Sequence, residues 1–305
     1  MSIATEIQRL QNAKANIKTS IENKGVTVGD GPIDTYASKI DQISGGADIS
    51  DYFETTGNGW FGSYRRHIKK IPPLDFTGVT SANDLFREFI ALQEIPIISN
   101  TSSLSTLMSG FQECYSLEEI NLSNWDVSNL TNCTNLFYNC GNLKKVNISN
   151  WNLAKCTGLT YWFVFDSNLE EVYVNNINTT NVSSFYSIFA NCSKLAKIVG
   201  LFQGDSLINI TTAFQNVTML TEFNGFENLG KAYDTSQSAN YSNYTLDLSK
   251  CTNLTHDSLV NIINNLYDIN TKGCNAQQLK IGATNIAKLT SEEIAIATSK
   301  GWTVS

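Results

Sequence analysis

The sequence predicts an α/β solenoid with a curved parallel sheet on one face, short helical turns on the other, and a small helical module at the N-terminus. Two regularities indicate this class. Phenylalanines recur at intervals of 25 or 26 residues, and each precedes a leucine by six positions. A further apolar residue follows each leucine by three positions, which is typical of stacked leucine-rich repeats. The phenylalanine–leucine pairs are Phe86/Leu92, Phe111/Leu117, Phe137/Leu143, Phe163/Leu169, Phe189/Leu195 and Phe214/Leu220.

Residues 1–46 are expected to form a helical attachment module. Over residues 2–23, apolar side chains follow the heptad-like spacing of one helix face. A module this small cannot bury that stripe internally, so we expect the stripe to dock on a partner chain, with the end of the solenoid as the alternative. The spacing leaves open whether the partner is a homotrimer or a different protein. The docking positions are Ile3, Ile7, Leu10, Ile17 and Ile21.

Residues 47–80 are rich in aromatic side chains and are expected to cap the open end of the repeat core, and residues 81–230 carry the repeats. Within one unit, the L-x-x-I-x-L pattern alternates as a short strand whose apolar side faces inward. The preceding Leu-Phe-x-x-Cys run predicts a helical turn on the opposite wall. Apolar residues five positions after the leucine should also face inward in the first four units: Ile97, Leu122, Ile148 and Val174.

The charged residues two positions after each leucine test this register. If the strands stack in parallel, opposite charges become neighbours from the second unit onward. Such a row neutralises itself, so we interpret it as structural rather than as a charged binding stripe. The row consists of Glu94, Glu119, Lys145, Glu171, Lys197 and Glu222.

Residues 231–305 depart from the period and are expected to form a C-terminal repeat and cap. Residues 246–248 and 279–281 favour strands, and residues 255–267 favour a helix. Thr290 and Glu293 have the spacing of a capping box at the start of a second helix, which Gly301 would end.

Composition argues against several classes of function. The net charge of −7 argues against a nucleic-acid footprint, which requires a basic patch. No stretch approaches the length of a membrane span, and the N-terminus lacks the pattern of a secretory signal. We therefore expect synthesis in the cytoplasm, no membrane insertion and no nucleic-acid partner.

The chemistry-bearing residues predict neither a metal site nor catalysis. Cysteine at one repeat position gives way to Asp166 or Val217 in other units, which indicates a turn into the core rather than a redox device. We expect all seven cysteines to be reduced, with no zinc, other metal or cofactor. His67 and His256 are the only histidines and neither belongs to a catalytic pattern, so an enzyme is not expected.

Two surfaces are candidates for ligand or receptor binding. One is the outward strand row that contains Asn121, Asn147 and Tyr173. The other is the segment 231–244, in which tyrosines alternate with serine and asparagine, a composition typical of adaptable recognition loops. Its tyrosines include Tyr233, Tyr241 and Tyr244. The alternative is a solvated loop whose tyrosines lie flat on the cap.

The repeats resemble the BspA-like (surface-antigen type) leucine-rich repeats of bacterial and microbial surface proteins. Residues 136–140 read Leu-Phe-Tyr-Asn-Cys, residues 146–151 read Val-Asn-Ile-Ser-Asn-Trp, and residues 122–126 read Leu-Ser-Asn-Trp-Asp. The resemblance covers roughly half of the chain. It implies a solenoid used for adhesion or recognition, without catalytic residues.

The ends of the chain resemble a different group. Residues 4–28 and 33–43 are similar to N-terminal segments of bacteriophage tail and baseplate proteins, and residues 254–266 and 288–302 resemble the ends of phage-encoded repeat proteins. This implies a virion component that docks on other structural proteins by its N-terminal helix and binds a host surface polysaccharide or protein. The alternatives are a cellular adhesin or scaffold in the cytoplasm, and a glycan depolymerase.

Overall fold

The computed structural model describes residues 15, 17–19, 21–22, 47–48, 65–233, 245–270 and 276–305. Within these residues the chain is an α/β protein whose strands pair in parallel and which contains few helices.

The strands are β1 (Ala47–Asp48), β2 (Leu74–Asp75), β3 (Ile98–Ser99), β4 (Glu119–Asn121), β5 (Lys145–Asn147), β6 (Glu171–Val174), β7 (Lys197–Gly200), β8 (Phe202–Gln203), β9 (Glu222–Phe223), β10 (Phe226–Glu227), β11 (Thr245–Asp247), β12 (Gln277–Lys280) and β13 (Trp302–Val304). The helices are α1 (His256–Asn264), α2 (Ala283–Ile286) and α3 (Ser291–Ser299), with 3-10 helices at Thr101–Ser103 and Lys231–Tyr233.

The central sheet has the order β4-β5-β6-β7-β9 and joins one repeat unit to the next. Ile120 lies beside Val146, Val146 beside Val172, and Val172 beside Ile198. All four side chains are buried, since alternate residues of a strand share one face. The charged row also falls in the predicted register, with Glu119 beside Lys145 and Lys197 beside Glu222. The predicted strand pairing is confirmed for these units.

The repeat phenylalanines form one continuous column. Their rings are buried, and consecutive ring centroids along the column are 5.0 to 5.6 Å apart. Each ring therefore covers the ring of its neighbouring unit and leaves little of the core wall open to water. Truncating one such ring would cost about 3–5 kcal/mol because a cavity would remain between two units.

The phenylalanine segments are turns, and the prediction of helical turns was wrong. In every unit the residues two positions before and two positions after the phenylalanine have positive φ. Residues with positive φ interrupt the right-handed backbone that a helix requires. In the first unit, the N–H groups of Asp84, Phe86 and Glu88 donate to the following unit instead. The pairs with positive φ are Asp84/Glu88, Ser109/Glu113, Asn135/Asn139, Tyr161/Phe165, Ser187/Asn191 and Thr212/Asn216.

These turns join neighbouring units by a one-way ladder of hydrogen bonds. The N–H of Phe111 donates to the carbonyl of Leu136 (2.9 Å), and the N–H of Phe137 donates to that of Trp162 (2.9 Å). The two residues with positive φ in these units donate to the following unit as well. The backbone groups of the turn are satisfied by the stack, so the turn geometry depends on the neighbouring unit.

The first unit departs from the predicted strand. Ile97 was expected to face inward, but 72% of its surface is exposed. Pro96 has no N–H to donate to a strand ladder, and pairing begins at Ile98, which lies beside Leu74 and is buried. Strand β3 pairs with β2 in a separate three-stranded sheet with the order β1-β2-β3.

The C-terminal elements follow the prediction closely. Strand β12 lies between β11 and β13, all in parallel. Helix α1 begins after Thr255, whose side chain accepts a hydrogen bond from the N–H of Ser258. Helix α3 begins with the predicted capping box between Thr290 and Glu293. Gly301, with φ of 89°, ends it before β13.

Candidate functional site

The predicted strand-face residues are placed next to one another by the sheet. Asn121 lies beside Asn147, and Asn147 lies beside Tyr173. The side-chain carbonyl oxygens of both asparagines accept bonds from backbone N–H groups two residues later, at 3.1 Å from Ser123 and 3.0 Å from Ser149. These are Asx turns, so both carbonyl groups serve the fold.

Tyr173 belongs to a compact polar cluster. Its hydroxyl donates to Glu171 Oε2 at 2.7 Å, and Lys145 Nζ lies 4.9 Å from the centre of its ring. Lys145 also pairs with Glu171 at 3.8 Å. The hydrogen bond to Glu171 is the main cause that raises the pKa of Tyr173. The preferred partners of this tyrosine are therefore within the chain, which makes it a weaker candidate for ligand binding.

Charges along the strand face are paired in the same way. Lys197 lies 3.4 Å from Glu222, and Lys144 lies 2.7 Å from Glu118. Exposed pairs of this kind contribute little to stability because water screens both charges. Charges of opposite sign are therefore neighbours along this face, which agrees with the structural interpretation of the row.

The other predicted site residues lie mostly outside the described residues. Tyr241, Tyr244, Ile3, Ile7 and Leu10 are among these. The backbone of Tyr233 ends the 3-10 helix Lys231–Tyr233, whereas its side chain is outside the described part. The described residues between 15 and 22 are helical; Ile17 is half-buried there and Ile21 is fully buried.

The cysteines and histidines are placed by the fold rather than by a reactive centre. Cys114, Cys140 and Cys192 are buried, and each thiol donates to the carbonyl of a phenylalanine in the preceding unit. His256 lies 2.9 Å from Glu293 and 3.4 Å from Asp257, on the exposed side of the C-terminal helices. Both carboxylates raise the pKa of His256, and the hydrogen bond with Asp257 is the largest single cause. Across the described ranges, no group of three or more His, Cys, Asp or Glu side chains could hold a metal ion.

Exposed and half-buried aromatic residues flank the phenylalanine turns, and the sequence analysis missed them. Tyr138 contacts Phe165 with centroids 5.8 Å apart, and Tyr161 contacts Tyr186 at 5.2 Å. Phe165 is 48% exposed, although bulky side chains are rare at positive φ. Tyr115 accepts a hydrogen bond from Asn139 at 2.9 Å. We call Tyr115, Tyr138, Tyr161, Phe165 and Tyr186 the aromatic turn patch.

A signal for this patch was present in the sequence. Three positions, two before and one and two after the repeat phenylalanine, hold small or polar residues in most units. In the two central units, the position two before is Tyr161, the position one after is Tyr138, and the position two after is Phe165. Recognising the patch required knowing that these positions face outward, which the helical-turn prediction did not provide. Exposed aromatic clusters of this kind are enriched at recognition surfaces.

None of the helices in the described ranges has the length and apolar character needed to cross a lipid bilayer.

A comparison with protein families gives a match. A family model described as "Mycoplasma protein of unknown function, DUF285" matches residues 55–171 and again residues 133–258, which together cover about two thirds of the chain. A search of the curated proteins finds no match.

Proposed function

We propose that this chain, which belongs to the family described as Mycoplasma protein of unknown function, DUF285, is a non-enzymatic recognition protein built as a leucine-rich-repeat solenoid. Support for the solenoid comes from the parallel register of β4 to β9 at one-unit intervals and from the column of phenylalanine rings. Each unit contacts its neighbours in sequence, as in repeat proteins generally.

The single observation that carries the proposed function is the contrast between inward and outward positions. The inward positions repeat the same residue type, as in Phe111, Phe137 and Phe163. The position two residues later, which is not buried in any unit, changes from Glu113 to Asn139 and Phe165, while the backbone bonds between units continue. A surface that varies on a constant frame is suited to recognition, because binding residues can change at little cost to the fold.

Binding by the full chain tests this function. Fluorescently labelled protein would be titrated onto intact bacterial cells and onto immobilised cell-envelope polysaccharides and proteins. Saturable binding, without release of reducing ends from the polysaccharides, is the expected result. Release of reducing ends would favour a depolymerase, and no saturable binding to any of these surfaces would contradict recognition.

The proposed location is a bacteriophage virion, in which the N-terminal helix docks on other structural proteins and the repeats face the host. Its support is the resemblance of residues 4–28 to phage tail and baseplate segments. Mass spectrometry and immunogold microscopy of purified particles test it, and the label on the N-terminus should lie at the tail or baseplate. Detection on uninfected cells instead would favour the cellular adhesin.

A further inference from the structure

A polar groove crosses three repeat units on the side of the molecule that precedes the phenylalanine turns. It encloses about 410 Å³, which is within the range of about 300–1,000 Å³ that small-ligand sites occupy. Its lining consists of hydroxyl-bearing side chains, one carboxamide and one glycine, and none of them is charged. The side chains that the argument uses are Asn132, Thr134, Thr157, Thr160 and Ser184.

The groove exists because Gly158 has no side chain. Bridges between units relate this position to Ser184 and Asn209 in the following units. The repeat interval of 26 residues relates it to Asn132 in the preceding unit, which is itself bridged to Thr106. A Cβ atom at Gly158 would meet nothing closer than 3.5 Å, and its φ is ordinary. The glycine is therefore not required by the backbone, and its effect is to leave space between Asn132 and Ser184.

Several polar groups in the groove have no hydrogen-bond partner among the described residues. Within the described residues, the hydroxyls of Thr134, Thr157 and Thr160 make no hydrogen bond, and the carboxamide N–H groups of Asn132 make none either. A hydroxyl both donates and accepts, whereas a carboxamide N–H only donates. Neighbouring units are about 4.8 Å apart in a sheet, so these groups form a row of hydrogen-bonding positions along the groove.

Aromatic side chains border one end of the groove. Tyr186 occupies the position that Thr160 and Thr134 occupy in the two preceding units, as the bonds between units show. Tyr161 follows Thr160 directly and packs edge-on against Tyr186, with an interplanar angle of 85°. Partly exposed tyrosine rings present a negative face to the weakly positive C–H groups of a sugar.

We propose that this groove is a binding site for a neutral saccharide, which would make it the ligand site of the recognition function proposed above, on which this inference rests. Anions are disfavoured because no cationic side chain lines the groove. An apolar ligand would leave the hydroxyls without partners. A peptide added as a strand would need free backbone groups, but those of Leu159 and Ser183 are bonded to Ser184 and Thr157.

An array of neutral oligosaccharides of glucose, galactose, mannose and N-acetylglucosamine, with sulfated and uronic-acid counterparts, tests the proposal on the intact chain. Binding to at least one neutral oligosaccharide is expected.

Gly158→Asn refills the groove with the residue found at positions 132 and 209, so the protein should melt at the wild-type temperature or higher, while affinity falls at least about tenfold. Tyr161→Asn should weaken binding about two- to tenfold and keep the fold, since Asn135 occupies the corresponding position.

Gly141→Asn is the matched control, because a Cβ there meets only Tyr115 at 3.6 Å and the position is outside the groove. Its affinity should equal that of the wild type. Three results would overturn the inference: no neutral oligosaccharide bound, a preference for the anionic counterparts, or equal binding by Gly158→Asn and the wild type. If Gly158→Asn still bound intact cells like the wild type, recognition would stand and the saccharide groove alone would fail.

Discussion

At the scale of single residues, the buried positions hold nearly the same type of residue in every unit, and Asp166 is an exception. Cys114, Cys140 and Cys192 occupy a buried position at which the fourth unit has Asp166. Asp166 Oδ1 accepts a bond from the N–H of Cys140, but Oδ2 has no hydrogen-bond partner in the described part of the chain. Burial raises the pKa of Asp166 well above its ordinary value, with a smaller contribution from Cys140. The carboxyl is therefore protonated in the folded chain at the pH where an ordinary aspartate is charged.

We expect Asp166→Asn to stabilise the protein, by about 1–3 kcal/mol at pH 7, because its Oδ1 can still accept the bond from the N–H of Cys140 and the amide does not ionise in the unfolded state. The unfolded carboxyl has a pKa of about 3.9. Above that pH, ionisation of the carboxyl lowers the free energy of the unfolded state. The free energy of unfolding of the wild type therefore falls by up to about 1.4 kcal/mol per pH unit, until the folded carboxyl ionises as well. Urea denaturation at pH 3.5, 5 and 7 should show a difference that grows with pH.

Asp126→Asn is the control with the opposite sign, because hydrogen bonds from Ser128 lower the pKa of Asp126. Its carboxylate stabilises the fold above the unfolded pKa, and this contribution is lost as the pH falls through the lower folded pKa. Asp126→Asn should therefore lower the free energy of unfolding at pH 7. A constant difference between Asp166→Asn and wild type over this pH range would contradict the account of Asp166.

The thiols give a second residue-scale prediction. All six cysteines in the described ranges are buried and free, and Cys274 lies outside these ranges. Burial raises the pKa of Cys140 and Cys192 well above the ordinary value and that of Cys251 to about 12. Ellman's reagent should therefore modify no more than one thiol in the native protein and seven in denaturant. Rapid modification of several native thiols would show that the core is open.

At the scale of elements, the sequence predicted strands better than turns. Alternating apolar residues gave the register of β4 to β7, and the charges at Glu119 and Lys145 supported it. The segments around phenylalanine were expected to be helical because apolar spacing alone does not reveal positive φ. Ile97 was misplaced for a different reason, since Pro96 delays pairing by one residue.

Asn135 tests the turn geometry, because its φ is 57° and, within the described residues, its side chain makes no hydrogen bond. A β-branched residue is strained there, so Asn135→Val should lower the free energy of unfolding by about 1–3 kcal/mol. Asn135→Gly should be close to neutral, since glycine adopts positive φ freely. Chemical denaturation of both variants measures this.

The neighbouring Thr134 provides the control for that pair, because it has ordinary φ and is half-buried. Thr134→Val should change stability by less than about 0.5 kcal/mol. Equal losses for Asn135→Val and Thr134→Val would mean that the left-handed conformation at Asn135 is not the cause.

At the scale of the whole molecule, the binding surfaces depend on relations between units that a single repeat does not contain. The groove at Gly158 arises from three successive units, and the aromatic turn patch combines residues from four. The predicted strand-face site could be located from spacing alone, but the pairing of Tyr173 with Glu171 and Lys145 could not. Sequence periodicity thus predicted where the strands and the core residues lie. Predicting which side chains meet on the exposed surface would have required the register of all units.

The central claim is that successive units stack in parallel and close one another's core, so that the outer surface is free to bind. A crystal structure of the intact chain tests it most directly. We expect the rings of Phe111, Phe137 and Phe163 to stack at about the observed 5.0–5.5 Å, with Glu119 beside Lys145 and an open groove at Gly158. Phenylalanines in solvent or divided among separate cores would contradict the account.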